Sequence, residues 1–246
     1  MDLLRAAQRS LRQAGIEGYD PRTWTRFQRD PSEAALLERL PHLWASMQAC
    51  DVTVQTLIAD LMDHVLEGQI FDLVRFREGA GPLTADERER YTYLVAGSVG
   101  EFWHDVCRLK LSDYDTDSPD VMKLRARRYG QALQLLNIIR DQNMDQALGR
   151  IYLPSDDAPR VARQARDWLG EGTEYCAALR SGRLRYATLL PALLGFRTLN
   201  LCAAQESGTL TPVKVPRAEV RRWMRRALPV WWSKASVTTV ARRAAG

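Results

Sequence analysis

Residues Gly130 to Pro154 read GQALQLLNIIRDQNMDQALGRIYLP. With Gln134 taken as zero and about 100° per residue, Gly130, Asn137, Asp141 and Asp145 fall with it inside an arc of about 80°. Leu135, Leu136, Ile138 and Ile139 spread over the rest of the circumference. A stripe of two carboxylates and two neutral amides thus runs along a helix that is otherwise apolar. Gly149 stands where a left-handed C-cap belongs, and Pro154 stops any continuation. The stripe is either the solvated side of an amphipathic helix or the wall of a binding site. Solvated faces are rich in Lys and Glu, whereas between 130 and 139 this one carries only Gly, Gln and Asn. Carboxylates four apart on one face suit a hard dication such as Mg²⁺, which keeps waters and substrate phosphates among its ligands. Asn137 adds an oxygen, and Arg140 and Arg150 add the forked donors that meet a diphosphate.

Outward from this helix the chain reads as helix after helix. No sustained period-two alternation and no Asn-Gly or Asp-Gly hairpin signal appears. Asp30-Pro31-Ser32-Glu33 and Thr84-Ala85-Asp86-Glu87 carry capping-box logic, and Ser118-Pro119-Asp120, Asp20-Pro21 and Asp51 mark further starts. Pro41 predicts a break near Leu40. The caps predict helices at about 51–77, 85–110, 119–147, 157–169, 172–181, 187–206 and 216–228. Without internal repeat or long linker, residues 1–246 are expected to form one all-α helical bundle.

Composition agrees. The chain has 246 residues, 46% of them hydrophobic and 26% charged, enough for a sizeable core. No apolar run approaches the roughly 18 residues of a membrane span, and Met1-Asp2 does not open a basic signal region. Cys50, Cys107, Cys176 and Cys202 form no CxxC pair, so buried thiols in a reducing cytoplasm are expected. The charge is uneven: Arg217, Arg221, Arg222, Arg225, Arg226, Lys234, Arg242 and Arg243 against Glu219 give residues 217–246 a net +7, leaving −2 for the rest of a chain at +5. With an acidic body and no nucleic-acid motif, no nucleic acid is expected as a partner. Trp223, Trp231 and Trp232 among those arginines suit either a lipid interface on the inner face of a membrane or a last helix packed on the body.

Asn137-Ile138-Ile139-Arg140-Asp141, Asp145 and Gly149-Arg150-Ile151-Tyr152-Leu153-Pro154 resemble the second aspartate-rich motif of squalene/phytoene synthases. Tyr91 to Trp103, YTYLVAGSVGEFW, resembles the family's Tyr-x-x-x-Val-Ala-Gly-x-Val-Gly helix as bacterial members carry it. Leu190-Pro191 through Thr198-Leu199 resembles the helix on the far side of the family's cavity, so the likeness runs over roughly residues 30–227. The resemblance implies a bundle of the class I isoprenoid synthase type. It also implies an Mg²⁺-dependent head-to-head condensation of two allylic prenyl diphosphates, farnesyl diphosphate first and geranylgeranyl diphosphate second, with NADPH needed only for squalene. By matched position, Tyr91, Asp141 and Asp145 would be catalytic, Asp141, Asp145 and Asn137 would hold metal, and Gln134, Asn137, Arg140 and Arg150 would meet the diphosphate. The run Ala96-Gly97-Ser98 with Gly100 leaves room either for a close helix crossing or for a prenyl tail.

The pattern departs from the family in two places. Met144 stands where a further acidic residue is usual. The family's first aspartate motif, on a helix upstream of the segment matching 31–50, has no counterpart in residues 1–246, where Asp2, Asp20, Asp30 and Asp51 form no such pair. A start placed too late, with the missing helices encoded upstream of Met1, a split enzyme whose partner chain brings that helix, or a degenerate member that binds prenyl lipids or a partner without turnover would each account for this N-terminally shortened bundle. Asp60, Asp63, His64 and Glu67 share a spacing able to ligate metal from one helix face, or simply form a solvated one; Asp60 and Asp72 match acidic positions of the family, without the role of the missing motif.

Overall fold

Several helices of the computed structural model start or stop at a residue whose chemistry explains it. Residues 25–26, 28–77, 81–205 and 211–246 are described, so the start at Asp20-Pro21 and part of the loop after 77 lie outside them. The chain divides into two compact units, Met1–Ile70 and Phe71–Gly246. In the first, α1 (Pro31–Glu38) is capped by Asp30, whose carboxylate accepts from the Ser32 amide at 2.7 Å. Pro41 falls in the first turn of α2 (Leu40–Gln48), so the expected break is a change of helix at Arg39. Asp51 then caps the Val54 amide at 3.0 Å, ahead of α3 (Val52–Arg75), whose last turns belong to the second unit.

The second unit opens with α4 (Ala85–Thr92) behind a complete capping box: the Glu87 amide donates to Thr84 at 3.2 Å, and Glu87 accepts from the Thr84 amide at 2.9 Å. The helix expected to run unbroken from 85 to 110 instead widens into a π turn at Tyr93–Gly97 and resumes as α5 (Ser98–Lys110). Then come α6 (Pro119–Ala147), α7 (Ala158–Ala178), α8 (Gly182–Ala204), α9 (Arg217–Ala227) and α10 (Ala235–Ala245). The break expected between 169 and 172 is absent. Val161, Ala165, Leu169, Gly172 and Cys176 form one buried stripe, and Gly172 is small because the Tyr129 ring lies against it. Among the described residues the regular structure is helical, with one isolated bridge between Asp115 and Leu179.

α6 is the central element, packed on α4, the π turn, α5, α7 and α8. The small-residue run is resolved here in favour of close crossing. A β-carbon on Gly100 would sit 2.1 Å from the Ala126 carbonyl oxygen, and one on Gly130 would sit 2.1 Å from that of Ala96. The two backbones touch at two places, four residues apart on each helix and in antiparallel order. Gly130 therefore serves packing, and the chemistry of the stripe begins at Gln134.

Residues 217–246 are built into the body. Trp223, Val230, Val237, Val240 and Ala244 are buried, and α8 packs on both α9 and α10. Buried Arg185 ties this segment down by donating to the carbonyls of Leu179 at 2.7 Å, Arg180 at 2.8 Å and Val230 at 2.9 Å. α8 is long and apolar enough to cross a membrane by composition; its apolar side packs on α6, α7, α9 and α10.

Gly100→Ala is expected to destabilise the fold by about 1–3 kcal/mol or more, because backbone rather than a flexible side chain blocks the methyl group. Gly81→Ala, with nothing within 4 Å of the new carbon, is expected to stay within about 0.5 kcal/mol. Denaturant midpoints for the two variants check this, and equal midpoints would contradict the crossing.

Candidate active site

The C-terminal half of α6 and the segment after it assemble the site. α6 ends in a Schellman motif: Gly149 has φ 78°, its amide donates to Gln146 at 3.0 Å, and the Arg150 amide donates to Asp145 at 2.8 Å. This cap reverses the chain sharply and brings Arg150, Ile151 and Tyr152 back beside the aspartates. The Leu83 amide, donating to Ile151 at 3.0 Å, and Gln142, donating to Leu153 at 3.3 Å, fix the returning strand of chain.

The polar stripe does not face open solvent. Gln134, Asn137, Arg140, Asp141 and Asp145 are all partly buried. Asn137 donates to Gln134 at 3.4 Å, one turn above the carboxylates. Arg140 grips Asp141 with both arms, Nε to Oδ1 at 2.8 Å and Nη2 to Oδ2 at 2.6 Å. That grip raises the Arg140 pKa, and the half-buried Cys202 thiol of α8 lies in the field of the same pair.

Asp145 is under opposing forces. Burial raises its carboxyl pKa first, then the charges of Asp141 and Asp72 raise it further, while Arg150 and Arg140 pull it down. Three carboxylates therefore share one neighbourhood with two guanidinium groups. Tyr91, buried at the end of α4, stacks on Tyr152 with centroids 5.3 Å apart and lies 6.1 Å from the Phe71 ring. Burial raises the Tyr91 pKa, and the charges of Asp72 and Asp145 add to it, so the phenol is neutral at ordinary pH. The residues matched from sequence thus gather at two adjoining points, Arg140 with Asp141 and Tyr91 with Asp145 and Arg150.

Two members of the cluster carried no role in the sequence reading. Asp72 accepts a short hydrogen bond from the Tyr152 hydroxyl, and its second oxygen lies 3.4 Å from Arg150 Nη1. An Asp in the last turn of an apolar helix was the available signal for the first. The second sits inside a quoted motif, but nothing local to the sequence tells of a partner 80 residues away.

The donor set fits a magnesium ion that keeps waters and phosphate oxygens. Asp145 and Asp141 offer hard carboxylate oxygens whose mutual repulsion a dication would relieve, and Asn137 lies one turn away. Among the described residues no group of three or more His, Cys, Asp or Glu converges as a self-sufficient cage. The Asp60, Asp63, His64 and Glu67 set does not do so either, and His64 Nδ1 engages the Asp60 carbonyl at 2.8 Å.

The family model described as squalene/phytoene synthase matches residues 4–161. The 15-cis-phytoene synthase of Synechococcus elongatus is 34% identical over 128 residues, covering 48% of this chain and 40% of that protein. The chain thus matches well under half the length of this curated relative. The solved complex of TcSQS with the ligand BPH1237 superposes with a TM-score of 0.70 at 19% identity, over 96% of this chain and 75% of that one. A dehydrosqualene synthase in complex with a ligand gives 0.62 at 22% identity, over 91% and 76%. Both share the fold.

Removing the Asp141 charge should let the Asp145 pKa fall, and removing that of Arg150 should push it further up. Carboxyl carbon titrations by NMR of metal-free Asp141→Asn and Arg150→Gln check both signs. Because the folded protein holds this proton more tightly than the unfolded chain, the group adds stability as pH falls through its raised pKa. An Asp145 titration unmoved in both variants would mean that the three charges do not share a site.

Proposed function

The chain belongs to the squalene/phytoene synthase family, and on that premise we propose that it is a prenyltransferase joining two allylic prenyl diphosphates head to head. The observation that carries this reading is the meeting of Asp145, Arg150 and the neutral Tyr91 phenol at the end of the aspartate helix. Asp141, Asp145 and Asn137 are the residues to hold Mg²⁺, whose charge would offset that of a departing diphosphate. Arg140 and Arg150 would bind the diphosphate oxygens from either end of the carboxylate pair, Arg140 on release of its two-armed hold on Asp141 and Arg150 the more exposed. The Tyr91 hydroxyl can donate to a leaving oxygen, and the Phe71 and Tyr91 rings offer π faces to an allylic cation. The cation is then captured by the double bond of the second substrate, and the tertiary cation so formed loses a proton as a cyclopropane ring closes, leaving a cyclopropylcarbinyl diphosphate.

The names of the curated relatives support the phytoene branch, hence geranylgeranyl diphosphate, over farnesyl diphosphate as first choice. On that branch NADPH has no part. The test is turnover of the purified chain with Mg²⁺ and each prenyl diphosphate, with and without NADPH, following pyrophosphate release and product mass. Release with a head-to-head product is expected, together with a loss of more than about 100-fold in Asp145→Ala. No release from either substrate would contradict the reading and favour a split or non-catalytic subunit that needs a partner chain.

A second observation supports contact with an anionic lipid surface, on the inner face of a membrane. Trp232 is 78% exposed, Met224 42%, Leu228 41% and Trp231 38%. The two tryptophans are joined through ring contacts of Tyr186 with Trp231 and of Trp231 with Trp232, and Arg183 lies over Trp231. Glu219, the lone acid of residues 217–246, is engaged by Arg197 at 2.6 Å and by Trp223, so it does not offset the exposed arginines of α9. Cosedimentation with phosphatidylglycerol but not phosphatidylcholine vesicles is expected, weakened by Trp232→Ser and by salt. Equal recovery with both vesicle types would remove the electrostatic part.

A further inference from the structure

Asp72 occupies a position that neither its helix nor its surroundings favour. It lies in the last turn of α3, at the negative end of the helix dipole, and is only 7% exposed. A carboxylate there is held by its partners alone. One oxygen accepts from the Tyr152 hydroxyl, and the other faces Arg150 at 3.4 Å. Tyr152 is itself 7% exposed, and the edge of Phe76 closes on its ring at 4.9 Å. Its face lies on Tyr91 with an interplanar angle of 27°, while Phe71, next to Asp72 in the chain, stands near the Tyr91 ring as well. Asp72 therefore touches both arms of the segment that returns from the α6 cap.

We infer that Asp72 and Tyr152 are a positioning pair that fixes the Tyr91 phenol and the Arg150 guanidinium at the Asp145 end of α6. Tyr152 acts on Tyr91 through its ring and its hydroxyl and on Arg150 through its hydroxyl, and Asp72 acts through hydrogen bonding and charge on Tyr152 and Arg150. The inference rests on the reading of Tyr91 and Arg150 as groups that meet an allylic diphosphate. The charged and titratable groups around Tyr91 are Asp72 from α3, Asp145 from α6, and Arg150 and Tyr152 from the returning segment. The first two disfavour a phenolate, so a correctly placed Tyr91 is a donor.

Tyr152→Phe keeps the ring and removes the donor. Kinetics of pyrophosphate release in the wild type, Tyr91→Phe, Tyr152→Phe and the double variant form the test. Tyr152→Phe is expected to lower kcat about tenfold, with KM within about twofold, because misplacement costs rate rather than binding. The same change is expected to cost clearly less once residue 91 is Phe, the remainder being the part that runs through Arg150. Equal losses in both backgrounds, or none in either, would overturn the proposal.

A readout independent of turnover comes from protein grown with 3-fluorotyrosine, its Tyr91 signal assigned by loss in Tyr91→Phe. That fluorine resonance is expected to shift in both Tyr152→Phe and Asp72→Asn, and an unmoved resonance would overturn the pair. If the wild type releases no pyrophosphate, the parent reading fails while the resonance still decides whether the pair positions Tyr91.

Discussion

The π turn and α5 together approach α6 until backbone meets glycine, at Gly100 of α5 with Ala126 and at Gly130 of α6 with Ala96 of the π turn. Nothing larger than hydrogen fits at either point, so these contacts fix both the separation and the register of the pair. The order is antiparallel. Moving back from the crossing through the π turn leads to Tyr91, while moving forward along α6 leads to Asp141 and Asp145. A crossing with no freedom to slide thereby determines which residues of two distant segments share a site. π turns recur at functional sites, and here one carries the Ala96 contact and begins two residues after Tyr91.

At the other end of α6 the constraint is electrostatic. Asp72, Asp141 and Asp145 repel one another in a partly buried setting, and Arg140 and Arg150 offset only part of that repulsion. Such a cluster is a poor choice for stability alone. Its cost is understandable where the missing positive charge arrives with a ligand, since perturbed titrating groups beside a partner of opposite charge mark sites of chemistry. The left-handed Gly149 cap makes the cluster compact by returning Arg150 within hydrogen-bond reach of the Asp145 backbone.

Much of this was legible from local chemistry. α6 could be bounded at both ends because Ser118-Pro119 and Gly149 are unambiguous signals, and the capping box at Thr84 located α4. The aspartate stripe and its spacing were also readable. What was not readable depended on distant partners. The break expected between 169 and 172 dissolved once the Tyr129 ring was seen against Gly172, and α10 carried too plain a composition to stand out. The small residues around Gly97 allowed two readings because sequence does not record what lies opposite a missing side chain. Asp72 and Tyr152 acquire meaning only through each other.

The central claim is that Asp141 and Asp145 form an incomplete cation site that a diphosphate completes. Manganese, which can replace magnesium at oxygen ligands and scatters anomalously, makes this directly visible. Crystals of the chain grown with Mn²⁺ and inorganic pyrophosphate should show an anomalous peak within coordinating distance of Asp145 or Asp141, with pyrophosphate oxygens against Arg140 or Arg150. A peak elsewhere, or pyrophosphate bound away from α6, would contradict the account.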